Sequence, residues 1–129
     1  MKICLDLDMV LDFLRGDSLA VAKIRQYANN EELCITSHTQ LYLLIGARKE
    51  EAIRQFLNSI TILDFDKKAA SIAGRLIKMN RLRGKSMGMD EVLIASTCLG
   101  YGAALVTKRR TEFEHLLEGK NKDFKLLLL

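Results

Sequence analysis

The 129-residue chain has no proline and no tryptophan, three cysteines, and aromatic residues at only 6% of its length. Without proline there is no Pro-rich spacer, and no repeat or low-complexity tract divides the chain, so a single domain over residues 1–129 is expected. Cys4, Cys34 and Cys98 are odd in number, lie inside apolar stretches and share no C-x-x-C spacing. That pattern argues against a disulfide framework or a cysteine-bound metal and predicts reduced core thiols. No apolar run approaches the ~20 residues that span a bilayer. Nor does a basic start lead into an apolar stretch with a cleavage site. The expectation is a cytoplasmic protein with no membrane partner.

What the chain does have is enough hydrophobic residue, 49%, for a sizeable core, and 28% charged residues, which argues against disorder. The formal net charge is only +4, but the basic residues cluster. Clustered basic charge attracts phosphate.

Short apolar runs alternate with amphipathic ones. Lys2 to Leu5, Leu33 to Thr36, Ile60 to Leu63 and Ala104 to Thr107 read as buried strands, and Phe124 to Leu129 as a last one. The tail Leu126 to Leu129 would be costly to expose, which suggests a buried strand or an interface. Between the strands lie helical segments. One runs from Met9 to Leu14 with Asp8 as N-cap and Gly16 as stop; another follows Asp17 or Ser18 to about Asn29. A further helix opens at Ser37 or His38, with a second pattern over Lys49 to Leu57. Asp66 caps a helix from Lys67 to Leu82, and Met89 or Asp90 starts one that is apolar almost all round and ends at Gly100-Tyr101-Gly102. This alternation predicts an α/β fold, a single-domain α/β/α sandwich around a parallel sheet. A receiver-type fold is disfavoured, because Leu63 to Ala104 holds two helices with no strand between them.

Carboxylates fall at comparable places: Asp6 and Asp8 after the first strand, Asp90 and Glu91 at a buried helix start, Glu112 after a late strand. In a parallel sheet such strand ends converge on one edge, where ligands bind. Converging carboxylates repel, and a hard divalent cation such as Mg²⁺ or Mn²⁺ relieves the repulsion and can activate water against a phosphodiester. Lys108, Arg109, Arg110, Arg81, Arg83 and Lys85 supply charge to hold the polyanion. The inferred chemistry is metal-assisted phosphodiester hydrolysis. His38 and His115 share no motif and read as surface residues. Asp12 reads as solvated or paired, and Asp8 and Asp90 as caps before ligands.

Several stretches carry a family resemblance: Leu5 to Gly16, Ile35 and Thr36 with Thr39 to Arg48, Ile62 to Asp66, Gly88 to Ala95, and Gly102 to Thr107 with Phe113. In order and spacing they resemble a PIN domain of the VapC toxin type over residues 2 to about 125. The resemblance implies a PIN-like sandwich and a Mg²⁺- or Mn²⁺-dependent endoribonuclease, commonly a homodimer and neutralised by an antitoxin. It implies catalytic roles for Asp6, Glu91, Asp90 and Glu112, with Asp6 and Glu91 holding the metal and Asp8, Thr107 and Tyr42 nearby. The chain departs from the pattern in four places. Asp8 stands where Asn is usual, Glu91 where Asp is usual, Tyr42 at the second acid, and Arg109 at an Asn or Asp position. A phenol and a cation at the last two positions should weaken metal binding. Arg109 is expected to partner Glu112 or a phosphate, and Tyr42 to fill core space or hydrogen-bond near the site. The competing reading is a catalytically impaired PIN-like protein that binds RNA or a partner without cleavage.

Overall fold

The computed structural model describes residues 1–46, 48–117 and 126–129. Four parallel strands, β1 (Lys2–Leu5), β2 (Glu32–Thr36), β3 (Thr61–Leu63) and β4 (Ala104–Val106), form one sheet in the order β3-β2-β1-β4. The crossovers are α1 (Leu7–Leu14) and α2 (Ser18–Ala28), then α3 (Ser37–Gly46) and α4 (Glu50–Ser59), then α5 (Lys67–Leu82) and α6 (Met89–Tyr101); α7 (Arg110–Leu117) follows β4. Parallel strands bury both faces, so successive residues feed opposite cores. Cys4, Cys34 and Leu105 pack with Ala73, Val92, Cys98 and Phe113 on the α5–α7 side. Ile3, Leu5, Ile35 and Val106 pack with Val10, Ile24, Leu43 and Ile53 on the other. The α/β/α expectation is met, and no strand among the described residues separates α5 from α6.

Helix starts correct the sequence reading in two places. α1 begins earlier than Met9, and its N-cap is Asp6, whose side chain accepts from the Leu7 N–H; Asp8 lies inside the first turn. α6 is entered from Gly88 with no side-chain cap, so Asp90 is not the cap either. The other caps are as read: Asp17 accepts from Ala20 and Asp66 from Ala69. α6 ends at Gly102, whose φ of 67° is the left-handed conformation that favours glycine. Among the described residues the expected final strand shows one parallel bridge, Leu128 beside Leu105, with the Leu105 N–H donating to the Leu127 carbonyl at 2.8 Å. This covers the open edge of β4. Phe124 and Lys125 lie outside the described residues.

All three thiols are free and buried. Burial, reinforced by the nearby Glu32 charge, pushes the Cys34 thiol up to about 12. A hydrogen bond with the Cys98 thiol, then burial, also pushes the Cys4 thiol up. Since only thiolate reacts, the native protein at pH 8 is expected to take up less than about 0.1 equivalent of Ellman's reagent in an hour. All three cysteines should react in guanidinium. Immediate stoichiometric labelling of native protein would contradict this burial.

Candidate active site

The strand order sets the location. The chain proceeds outward from β1 through β2 to β3, then returns to place β4 on the other side of β1. The crevice between β1 and β4 at their carboxyl ends is thus the topological switch point, where open α/β sheets bind ligands. Asp6 follows β1 and Thr107 follows β4, and the Asp6 N–H donates to the Val106 carbonyl at 3.0 Å, extending the pairing to this edge.

Asp6 is fully buried, yet its carboxylate is densely satisfied. Oδ1 accepts from the Leu7 N–H at 2.9 Å and from Arg109 Nη2 at 3.1 Å. Oδ2 accepts from Thr107 Oγ1 at 2.7 Å and from Arg109 Nε at 3.0 Å. Arg109 Nη1 donates to Glu91 Oε1 at 2.6 Å. The same guanidinium lies 5.3 Å from the centre of the Phe113 ring, a cation–π distance. The Thr107 hydroxyl also accepts from the Arg109 N–H at 2.9 Å, fixing the turn that aims the side chain inward. Burial works against the Arg109 charge, but its bonds to Asp6 and Glu91 outweigh it and hold the guanidinium above its ordinary value. Arg109 therefore joins Asp6 and Glu91, not Glu112, which was one of the two partners the sequence offered beside a phosphate.

Glu91, in the first turn of α6, keeps its position because residue 88 has no side chain. A Cβ on Gly88 would lie 1.8 Å from Glu91 Oε2. Glu91 and the exposed Glu112 border a cavity of about 320 Å³ together with Ser86, Thr111 and His115. Asp90 turns away from this cluster. Its Oδ1 meets His38 Nε2 at 2.9 Å and accepts from the Tyr42 hydroxyl at 3.3 Å, while the His38 and Tyr42 rings meet edge-on at 5.0 Å. His38 is consequently half-buried and engaged, not a free surface histidine. The Asp90 charge, then the hydrogen bond, raises the Tyr42 phenol above its usual range.

Asp8 lies beside the site and accepts from the Met9 and Lys108 N–H groups at 2.7 and 3.1 Å. Burial, then the Asp6 charge, pushes its carboxyl above the usual aspartate value. Asp12 is paired, as expected, with Lys108 Nζ at 2.6 Å. Sequence reasoning passed over the engaged His38 and the role of Gly88. The signal for Gly88 was available, since glycine just before an acidic helix start is an N-cap candidate.

The family profile described as the PIN domain matches residues 3–116. This chain belongs to the PIN-domain family. The PIN domain is 31% identical to ribonuclease VapC19 of Mycobacterium tuberculosis over 84% of this chain and 90% of that protein. It is 29% identical to ribonuclease VapC2 of Haemophilus influenzae over 91% and 93% of the two chains. A solved structure of VapBC2 from Rickettsia felis, bound to a DNA fragment from its promoter, superposes with a TM-score of 0.82, covering 100% of this chain and 98% of that one. Identity there is 23%, so the likeness is one of fold.

The Mg²⁺ or Mn²⁺ implied by the resemblance would need oxygen ligands from Asp6 and Glu91. A carboxylate offers about four lone-pair sites, and Asp6 receives four donors. Among the described residues no three Asp, Glu, His or Cys side chains gather to hold an ion. As folded in this PIN domain, the donor set does not fit a bound divalent cation.

Proposed function

We propose that this PIN domain is a toxin-type endoribonuclease that hydrolyses RNA phosphodiesters at the Asp6–Arg109–Glu91 cluster and is neutralised by an antitoxin protein. The observation that carries the reading is the meeting of two carboxylates and a guanidinium, from three distant parts of the chain, at the switch point of a PIN fold. The named ribonuclease relatives support the same assignment.

The cluster suits a phosphodiester. A guanidinium has five N–H donors, and Arg109 spends three of them on Asp6 and Glu91. The remaining two can meet a phosphate oxygen and the charge it gains in the transition state. Of the two carboxylates held by Arg109, Glu91 is the one bordering the open cavity, and it takes the proton of the attacking water and returns it to the leaving oxygen as the P–O bond breaks. Asp6, saturated with donors, positions Arg109. No step is routed through a metal ion, because Arg109 engages both Asp6 oxygens and Oε1 of Glu91.

Lys108 and Arg110 are exposed on either side of Arg109. Arg81 and Arg83 are exposed at the end of α5, on the approach to the Lys85–Gly88 loop that borders the cavity, and Lys85 Nζ donates to the His115 carbonyl at 3.3 Å. Together they offer a basic rim for the RNA backbone. Leu41, Leu44 and Ile45 of α3 are 52%, 57% and 70% exposed, an apolar face that supports burial against an antitoxin or a second copy in a homodimer. Among the described residues no helix is long and apolar enough to cross a membrane. RNA as substrate points to the cytoplasm.

The protein is expected to cut RNA, with cleavage falling about 100-fold in Glu91→Gln and Asp6→Asn as general base and positioning are lost. Cleavage within twofold of wild type in both variants would overturn the assignment. Lys108→Ala with Arg110→Ala should weaken RNA binding and flatten its salt dependence. A second reading, binding without cleavage, is favoured by the closed bonding of Arg109 on both carboxylates. Salt-sensitive RNA affinity without cutting, with or without Mn²⁺, would decide for it.

A further inference from the structure

We infer that Arg109 is a tethered cation that competes with divalent ions for the Asp6–Glu91 pair, so that the chain carries its own occupant of the acidic site. Three features of the structure make this arrangement specific. The guanidinium makes a two-pronged contact to Asp6 through Nε and Nη2, at 3.0 and 3.1 Å, and reaches Glu91 through Nη1 at 2.6 Å. Asp6 is fully buried, so its charge needs a partner at all times. The cation is also held from outside the pair, by the Thr107 hydroxyl on its backbone N–H and by the Phe113 ring beside it.

An inner-sphere ion needs bare oxygen lone pairs, at about 2.0–2.1 Å for Mg²⁺. Among the described residues, two of the four donors on Asp6, and the one donor on Glu91, belong to Arg109. The Leu7 and Thr107 donors leave room for an ion on Asp6; the Arg109 donors do not. An ion seated between Asp6 and Glu91 thus requires the guanidinium to leave both Asp6 oxygens and Glu91 Oε1. Because Arg109 is covalently attached, its effective concentration at the site does not dilute, whereas the free ion must compete from solution. The coupling is reciprocal: whatever Arg109 takes from ion affinity, a bound ion would take from the hold on Arg109.

The experiment uses the full chain and Mn²⁺ alone, titrated at constant ionic strength and read by the electron paramagnetic resonance signal of the free aqueous ion. Arg109→Asn should bind one Mn²⁺ at least about 30-fold more tightly than wild type, within the range of allosteric couplings. Lys108→Ala is the charge control. It removes an exposed cation one residue away that pairs with Asp12, not with Asp6 or Glu91, and should change affinity less than about threefold. Gly88→Ala is accommodated by the backbone, at φ −77° and ψ 132°, but its Cβ would displace the Glu91 carboxylate. Adding Gly88→Ala to Arg109→Asn should therefore abolish the gained affinity. Should Arg109→Asn not fold, Arg109→Lys keeps the charge, cannot make the two-pronged contact, and should give a smaller gain in the same direction.

Equal Mn²⁺ affinity in wild type and in whichever Arg109 variant folds would overturn the inference. So would a gain matched by Lys108→Ala, which would reduce the effect to net charge. No RNA enters the readout, so failure here and failure of the ribonuclease assignment are seen separately.

Discussion

Asp6→Ala is expected to destabilise the protein by about 3 kcal/mol, the sum of a lost N-cap, an orphaned hydroxyl and a broken ion pair. Each part has a named partner. The Leu7 N–H loses its capping acceptor, Thr107 Oγ1 loses a bond of 2.7 Å, and Arg109 loses both contacts to a carboxylate that is itself fully buried. The Arg109 side chain is 32% exposed, so water takes up part of its loss and the pair is worth less than a fully enclosed one. Urea unfolding of Asp6→Ala, Arg109→Met and the double variant separates these parts. The double variant should fall short of the summed losses by about 1.5 kcal/mol, the sign of direct coupling. Strict additivity would mean that the pair contributes nothing to stability.

Phe113→Ala should cost about 4 kcal/mol, in the range for truncating a buried aromatic. Phe113 is among the largest fully buried side chains and joins α7 to the core shared by α5, α6 and the sheet. Its ring also lies beside Arg109, so truncation loosens the guanidinium that ties Asp6 to Glu91. Phe113→Leu restores most of the volume without the ring face and should cost less than about 2 kcal/mol. Urea midpoints measure both. Equal losses in the two variants would place the weight on the aromatic face instead of on the volume filled.

The core and the elements were readable in the sequence because they depend on local periodicity. Lys67 to Leu82 and Ala104 to Val106 appear where the apolar pattern puts them, since one buries a stripe and the other both faces. Caps were readable where the capping residue stands just before its helix, as with Asp17 and Asp66. The misreading at Asp8 has a plain cause. Two aspartates stand two residues apart, and the choice between them depends on where β1 stops pairing, which the Asp6 N–H to Val106 carbonyl bond decides. The expected last strand is met in part: Leu126 to Leu129 are apolar enough for a strand, and among the described residues Leu128 bridges β4.

For this protein the sequence by itself determined the α/β alternation, the family, and the placing of Asp6, Glu91 and Glu112 where strands end or helices begin. It also showed that Arg109 and Tyr42 stand where the family pattern has other groups. Only the tertiary structure decided what those two residues do. Tyr42 joins His38 on Asp90, taking that carboxylate out of the cluster, and Arg109 closes on Asp6 and Glu91. The reason is physical. A cation one strand away from a buried carboxylate in the sheet, but 103 positions away in sequence, leaves no local pattern to read. Its contact depends on strand order, which long-range packing sets.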